Sequence, residues 1–396
     1  MKPALLFLTQ RIPYPPIKGE KIRPLQMLRH LREIYDVHLG TLVDDPRDME
    51  HIPTIRELCT SAHFGVIDRR LAKLTCLRGL LTGEPLSVTF YHDRGLAAWI
   101  GDAIDRVKPV AIVVCSSNMA PYVLDRHGTE RVCLVDLADV DSEKWRAYAE
   151  QGGRVMRWVH RREWRKTAAL EARIARECTW STFVSNEEAA LFRTMHPGAA
   201  DRIRAISNGV DHAYFDPALP TAAPYDAGRR NYVFTGTMDY PPNADAVTWF
   251  ATAILPELQR TAPDAQFHIV GSSPAPAVAA LARYPGVFVT GRVPDVRPYL
   301  AHATAAVAPM RIARGIQNKV LEAMAMARTV ILTDDALEGI RAVPSEEVVV
   351  ANTSDAFAQA CLVPPDIRIG LAARQRVVSD YSWPALLTAF DPLLAP

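Results

Sequence analysis

Apolar residues along this chain gather in short consecutive runs rather than at every second position. They fall at 4–8, 37–43, 64–67, 110–115, 132–135 and 182–184, then at 232–235, 266–270, 287–290, 305–308 and 330–333. Amphipathic stretches of helical period lie between them. A strand covered on both faces by crossover helices reads as such a run, so the series predicts parallel sheets in an α/β, doubly wound architecture. Residues 211–230 break the series: Pro217, Pro220 and Pro224 stand there among alanines with neither period, which predicts an extended connector. The expected organisation is a Rossmann-like domain over 1–212, a linker over 213–230 and a second Rossmann-like domain over 231–379. A terminal helix over 380–396 is expected to pack back on the first. Open α/β sheets take ligands at the carboxyl ends of their strands, so a cleft between two such domains is the expected active site.

Composition narrows the function classes. The chain has 396 residues with 45 Lys plus Arg against 44 Asp plus Glu, so no global field exists to hold a nucleic acid. Phosphate chemistry has to be local. No apolar run approaches the roughly 18 residues of a spanning helix, and the run at 4–8 reads as a first strand rather than an export signal. The six cysteines are scattered without CxxC spacing, several of them inside apolar strands, which predicts a reducing, cytoplasmic setting and no cysteine-held metal.

The segment 291–333 carries the most chemistry. A strand at 305–308 ends in Pro309 and a polar turn, Gly315 permits close backbone approach, and a helix is expected from Ile316 to Ala327. Unpaired N–H groups and the helix dipole favour an anion such as diphosphate at such a terminus. Arg311, Arg314 and Lys319 add side-chain charge at its mouth. Glu322, seven residues after Gly315, points the same way and leans toward the N-terminus, where a carboxylate holds a ribose diol. The plain alternative is a solvated Lys319–Glu322 i,i+3 pair, although the core-type neighbours Leu321 and Met324 argue against open water there.

The string GIQNKVLEAMA at 315–325 resembles the nucleotide-binding helix of family 4 retaining glycosyltransferases, which have the two-domain GT-B fold. Four further blocks agree in order: PPIKGEKIR at 15–23, ISNGVD at 206–211, FTGTMDYPPNADAVTWF at 234–250 and FHIVGSSP at 267–274. DLADVDSEKW at 136–145 and SDYSWPALL at 379–387 resemble the subgroup found with exosortase and PEP-CTERM exopolysaccharide systems. The resemblance implies GT-B, two doubly wound Rossmann-like domains facing each other across a cleft, the first on the acceptor side and the second binding a nucleotide sugar. It implies donor-binding roles for Gly19, Gly236, Thr237, Gly271, Arg292, Val293, Arg314, Gly315, Ile316, Gln317, Lys319 and Glu322. Arg311, Lys319 and Glu322 are the residues expected to carry catalysis. Gly19 would let the backbone approach the phosphates, or is a turn glycine after Pro15 and Pro16. Asn243 is expected to cap the helix that follows Gly236 and Thr237.

The sequence departs from the family where many members carry two glutamates seven residues apart: Arg314 stands at the first position and Glu322 at the second. A basic pair common after the first strand of the second domain is missing too, leaving Arg311, Arg314 and Lys319 to meet the phosphate charge. Asp139-Val140-Asp141 forms a DxD string, but with no third ligand at fixed spacing no metal is expected. Asp136, Asp139 and Asp141 are expected instead to bind acceptor hydroxyls, with Asp141 and Ser142 alternatively capping a helix.

Residues 154–176 are basic with Trp158 and Trp164 interleaved, which suits either an anionic bilayer surface or a solvated helix whose tryptophans pack inward. The reading is a cytoplasmic glycosyltransferase, at the inner face of the membrane if that helix touches lipid. It moves a sugar from a nucleotide-diphosphate donor to a saccharide or lipid-linked saccharide, without cofactor, metal or nucleic acid. Its rivals are a GT-B sugar-nucleotide epimerase and a catalytically weak homologue acting as a membrane-surface assembly partner.

Overall fold

In the computed structural model, which describes residues 2–16, 19–128, 130–150, 153–226, 228–313 and 316–395, the apolar runs form two separate all-parallel sheets. The first holds β1 (Ala4–Thr9), β2 (Asp36–Val43), β3 (Ser61–Val66), β4 (Ala111–Cys115), β5 (Val132–Ala138), β6 (Trp180–Phe183) and β7 (Ile203–Ala205), in the order β3-β2-β1-β4-β5-β6-β7. The second holds β8 (Arg230–Thr235), β9 (Ala265–Val270), β10 (Val287–Gly291), β11 (Ala305–Ala308), β12 (Val330–Leu332) and β13 (Val349–Val350), in the order β10-β9-β8-β11-β12-β13. Every residue of β4 and of β11 is buried, as consecutive apolar positions require. In each sheet the order runs outward from the first strand in both directions, and at such a reversal the crossover helices leave a crevice at the strands' carboxyl ends.

The chain divides into two compact units, Met1–Asn208 with Leu386–Pro396, and Gly209–Ala385. The expected divisions at 212 and 380 both fall inside the second unit. The stretch 213–230 is not a free connector either: Phe215 is buried in the second unit's core, and Tyr225 donates its hydroxyl to Tyr299 O at 2.6 Å. Aromatic burial outweighs the prolines there. The chain's end returns to the first unit, where His30 Nε2 meets Asp391 Oδ1 at 2.7 Å and the Arg23 guanidinium lies 5.6 Å from the Phe390 ring. Among the described residues, no helix is long and apolar enough to cross a membrane.

The basic helix spans Arg154–Glu177. Its C-terminal two-thirds bury Glu163, Thr167, Leu170, Glu171 and Ile174 against the first unit, while Val155, Met156 and Trp158 in its first turns are exposed.

Candidate active site

In the second unit the strand ends converge through glycine. Gly236 N donates to Val270 O at 3.0 Å, and Gly271 N donates to Gly291 O at 3.1 Å. A Cβ on Gly271 would lie 1.6 Å from Gly236 O, so no other residue fits and the turns after β8 and β9 are locked together. Gly291 closes β10 in the left-handed region at φ 67°. Thr237 and Arg292 are exposed beside these turns, and Val293 is half-buried against the core. Asn243 does not cap its helix. That helix, Pro241–Trp249, begins two residues earlier, and Asn243 instead donates Nδ2 to Thr237 O at 2.9 Å, holding the turn after Gly236.

The helix after β11 is Asn318–Ala325, shorter than expected, with Gln317 in extended conformation at its N-cap and Ile316 ahead of it. Arg314 and Gly315 lie outside the described residues. Lys319 Nζ donates to Gln317 Oε1 at 2.9 Å and sits 5.4 Å from the Phe234 ring. Among the described residues no ion pair joins Lys319 to Glu322, which removes the solvated-pair alternative. Both side chains are instead half-buried. Burial pushes the Glu322 carboxyl up to about 7 against the opposing pull of Lys319. Burial also pulls the Lys319 ammonium down to about 8 against the pull of Glu322. Two desolvated groups of opposite charge, one turn apart and not paired with each other, are poised for a ligand that supplies what each lacks.

Arg311 departs from the expected cluster of cations. Asp245 binds its guanidinium at 2.5 and 3.0 Å, and it lies 5.3 Å from the Trp249 ring. In this structure it serves the helix Pro241–Trp249.

The first unit has its own cavity, of about 500 Å³, at the carboxyl ends of β1, β4 and β5. Gly19 opens the helix Gly19–Ile34 at its edge, where a Cβ would meet nothing within 4 Å. Ser116 and Ala138 line it with φ of 85° and 65°, strained for residues with a side chain, and such outliers gather where backbone must be held for a ligand. The three expected aspartates all border it but are not equivalent. Asp136 is buried and fully engaged: Arg23 binds both its oxygens at 2.8 Å, and Thr182 Oγ1 adds a bond of 2.7 Å. It holds Arg23, and its acceptor sites are largely taken up within the protein. Asp139 and Asp141 share Lys144, at 2.8 and 3.3 Å, and Asp141 also accepts from Ser117 Oγ at 2.9 Å. Burial opposes the charge on Lys144, but Asp141 and Asp139 together raise its pKa.

Neither Asp141 nor Ser142 caps the helix Asp141–Ala149, whose N-cap residue is Val140. Two carboxylates from other helices do that work: Glu188 accepts from Val140 N at 2.6 Å, and Glu171 accepts from Ser142 N at 3.0 Å. Among the described residues, no three His, Cys, Asp or Glu side chains assemble as a metal would need.

Sequence reasoning missed Arg11, Arg23 and Lys144 around this cavity. Arg23 closes the block PPIKGEKIR, and Lys144 sits inside DLADVDSEKW, so the motifs contained both; only tertiary pairing across 113 residues shows that Arg23 answers Asp136. A second cavity of about 780 Å³ in the same unit is lined by Arg78, Arg94 and Arg126 but also by Glu84, Asp93 and Asp125, which balances its charge.

Residues 229–363, most of the second unit, match the family model of glycosyl transferases group 1. No curated protein matches the chain in sequence. Solved structures match over the whole chain. A sucrose-phosphate synthase from Thermosynechococcus elongatus is 18% identical with a TM-score of 0.64, covering 99% of this chain and 98% of its own. Anabaena HepE in complex with UDP and glucose is 12% identical with a TM-score of 0.63, covering 99% of each chain. WaaG, a glycosyltransferase involved in lipopolysaccharide biosynthesis, is 14% identical with a TM-score of 0.59, covering 99% of this chain and 100% of its own. The fold is GT-B, and the family match over the second unit supports a transferase.

Proposed function

We propose that this GT-B transferase is a retaining enzyme of the family 4 type, close to the exosortase-associated subgroup. It would move a sugar from a nucleotide-diphosphate donor to a saccharide or lipid-linked saccharide during exopolysaccharide biosynthesis at the cytoplasmic membrane face. The observation that carries this reading is the desolvated, mutually unpaired Lys319 and Glu322 on the helix after β11, inside the segment matched by the glycosyl transferases group 1 model. Anabaena HepE is known in complex with UDP and glucose, which makes a uridine diphosphate sugar the first donor to try.

In this mechanism Glu322 accepts from the ribose diol and Lys319 donates to the diphosphate, with Arg314 and the N–H groups ahead of the helix completing the anion site. The turns at Gly236 and Gly271 and the residues Arg292, Val293, Ile316 and Gln317 line the remainder of the donor site. Arg311 joins by leaving Asp245. Gly19 leaves open space for a phosphate at the edge of the first unit. As the bond from the anomeric carbon to the phosphate oxygen breaks, negative charge grows on the diphosphate, and preorganised cations there lower the barrier. The acceptor hydroxyl attacks from the same face, its oxygen bonding to the anomeric carbon and its proton passing to the departing phosphate. Configuration is thereby retained without a protein nucleophile. Asp139 and Asp141 accept from acceptor hydroxyls in the cavity of the first unit. No metal takes part, since cations and backbone N–H groups meet the phosphate charge.

The test is transfer from a panel of nucleotide sugars to saccharide acceptors in excess EDTA, with the product's anomeric configuration read by NMR. Retention with undiminished turnover is expected. Inversion, or activity restored only by a divalent ion, would overturn the mechanism.

A further inference from the structure

A surface outside both sites carries large exposed side chains. In the consecutive helical turns between Arg69 and Thr82, Leu71, Leu74, Leu77 and Leu81 recur every three or four positions and all face solvent, Leu81 at 91% and Leu74 at 68% exposure. The first turns of the helix Arg154–Glu177 present Val155 and Trp158 in the same way, Trp158 at 60%. The two segments are joined. Arg162 donates to Glu84 O at 2.9 Å and also to Gly79 O, and Leu86 N donates to Glu163 Oε2 at 2.8 Å. Trp158 stands four residues before Arg162 on the same stripe, about 6 Å along the axis from the residue that holds this segment.

Charge selects what this face meets. Residues 69–83 contain four Lys or Arg and 154–162 contain four more, with no Asp or Glu in either, while the whole chain is only +1. Among the described residues Arg70, Lys73, Arg154, Arg157 and Arg161 are exposed and form no ion pair, while Arg78 belongs to the charge-balanced second cavity. Aliphatic side chains interleaved with unpaired cations match neither nucleic acid, which offers no aliphatic surface, nor an ordinary solvated helix. They match a bilayer with anionic headgroups, where leucines enter the acyl boundary and each cation near the surface adds attraction.

We infer that residues 69–82 and the first turns of the helix Arg154–Glu177 form one surface that docks this protein on an anionic membrane. The membrane contact is thus not the length of the basic helix, most of which is packed on its own unit, but its first turns together with a leucine-rich segment. The inference rests on the proposed transferase reading for its purpose, since it brings a lipid-linked acceptor within reach, but not for its test.

Full-length protein is sedimented with vesicles of phosphatidylcholine alone or mixed with phosphatidylglycerol, without donor or acceptor. Binding is expected only to the mixed vesicles, weakening with salt, and falling at least tenfold in the double variant Leu74→Glu/Leu81→Glu and in Trp158→Ala. These positions are exposed, and thermal unfolding of each variant is expected to match wild type. Binding that ignores lipid charge or survives the double variant would overturn the proposal. So would light scattering that shows a wild-type dimer dissociated by Leu81→Glu, which would make a second copy the occupant. Nucleoside diphosphate binding, measured on the same samples, is expected to be unchanged by these substitutions; its absence in wild type would count against the transferase reading and not against this surface.

Discussion

Glu322 and Lys319 tie the site to pH. Ionised Glu322 is the form that accepts from a diol, so donor affinity rises as pH passes upward through about 7. Protonated Lys319 is the form that binds phosphate, so affinity falls again above about 8. A maximum between the two is expected in calorimetric titrations from pH 6 to 9. Glu322→Gln loses a charge-assisted bond, about 1–3 kcal/mol, at pH 8, and much less at pH 6, where the wild-type group is already largely protonated. A loss independent of pH would mean that Glu322 does not face the donor. A second residue-scale prediction concerns Gly271→Ala. Its Cβ would overlap Gly236 O, so the turns after β8 and β9 must separate, and a loss of about 3 kcal/mol or more is expected in urea unfolding.

Among the elements, the helix Asp141–Ala149 is held by carboxylates it does not own, and one of them titrates. Glu171 is buried, and burial pushes its carboxyl up to about 7, although the Ser142 bonds pull the other way. The native state therefore keeps the proton longer than the unfolded chain, whose glutamates titrate near 4.3. Stability from this group is full below that value and is lost as pH rises toward about 7. Glu171→Gln keeps an acceptor for Ser142 N without a charge, so the variant is expected to match wild type at pH 4 and to exceed it at pH 8.5 in thermal unfolding. Equal pH profiles would show that Glu171 is solvated.

Strands were the most legible elements, because burial on both faces leaves consecutive apolar residues. The two that the pattern did not announce, β7 and β13, are short strands at sheet edges, where one ladder and a few side chains leave no run to see. Helix ends were less legible. Asn243 reads as a cap by residue type, yet the prolines before it start the helix first. Lys319 and Glu322 were visible because strand, turn and helix lie together in sequence. The pairing of Asp136 with Arg23 was not, since nothing local distinguishes a buried aspartate that binds an arginine 113 residues away from the half-buried Asp139 three residues on.

For the molecule as a whole, near-neutral charge hides two local features, the opposed Lys319 and Glu322 on the helix Asn318–Ala325 and the basic leucine-bearing surface of the first unit. Their proposed ligands differ, a nucleoside diphosphate for the first and a membrane for the second. In the proposed mechanism the second unit holds the donor nucleotide through the helix Asn318–Ala325. Amide hydrogen exchange read by mass spectrometry locates the nucleotide directly, using whichever nucleoside diphosphate raises the melting temperature most in a panel led by UDP. Slowed exchange is expected in peptides covering 316–325 and the turns at 236–243 and 271, with 69–82 unchanged. Protection confined to the first unit's cavity around 10–24 and 136–144, with none over 316–325, would contradict that mechanism.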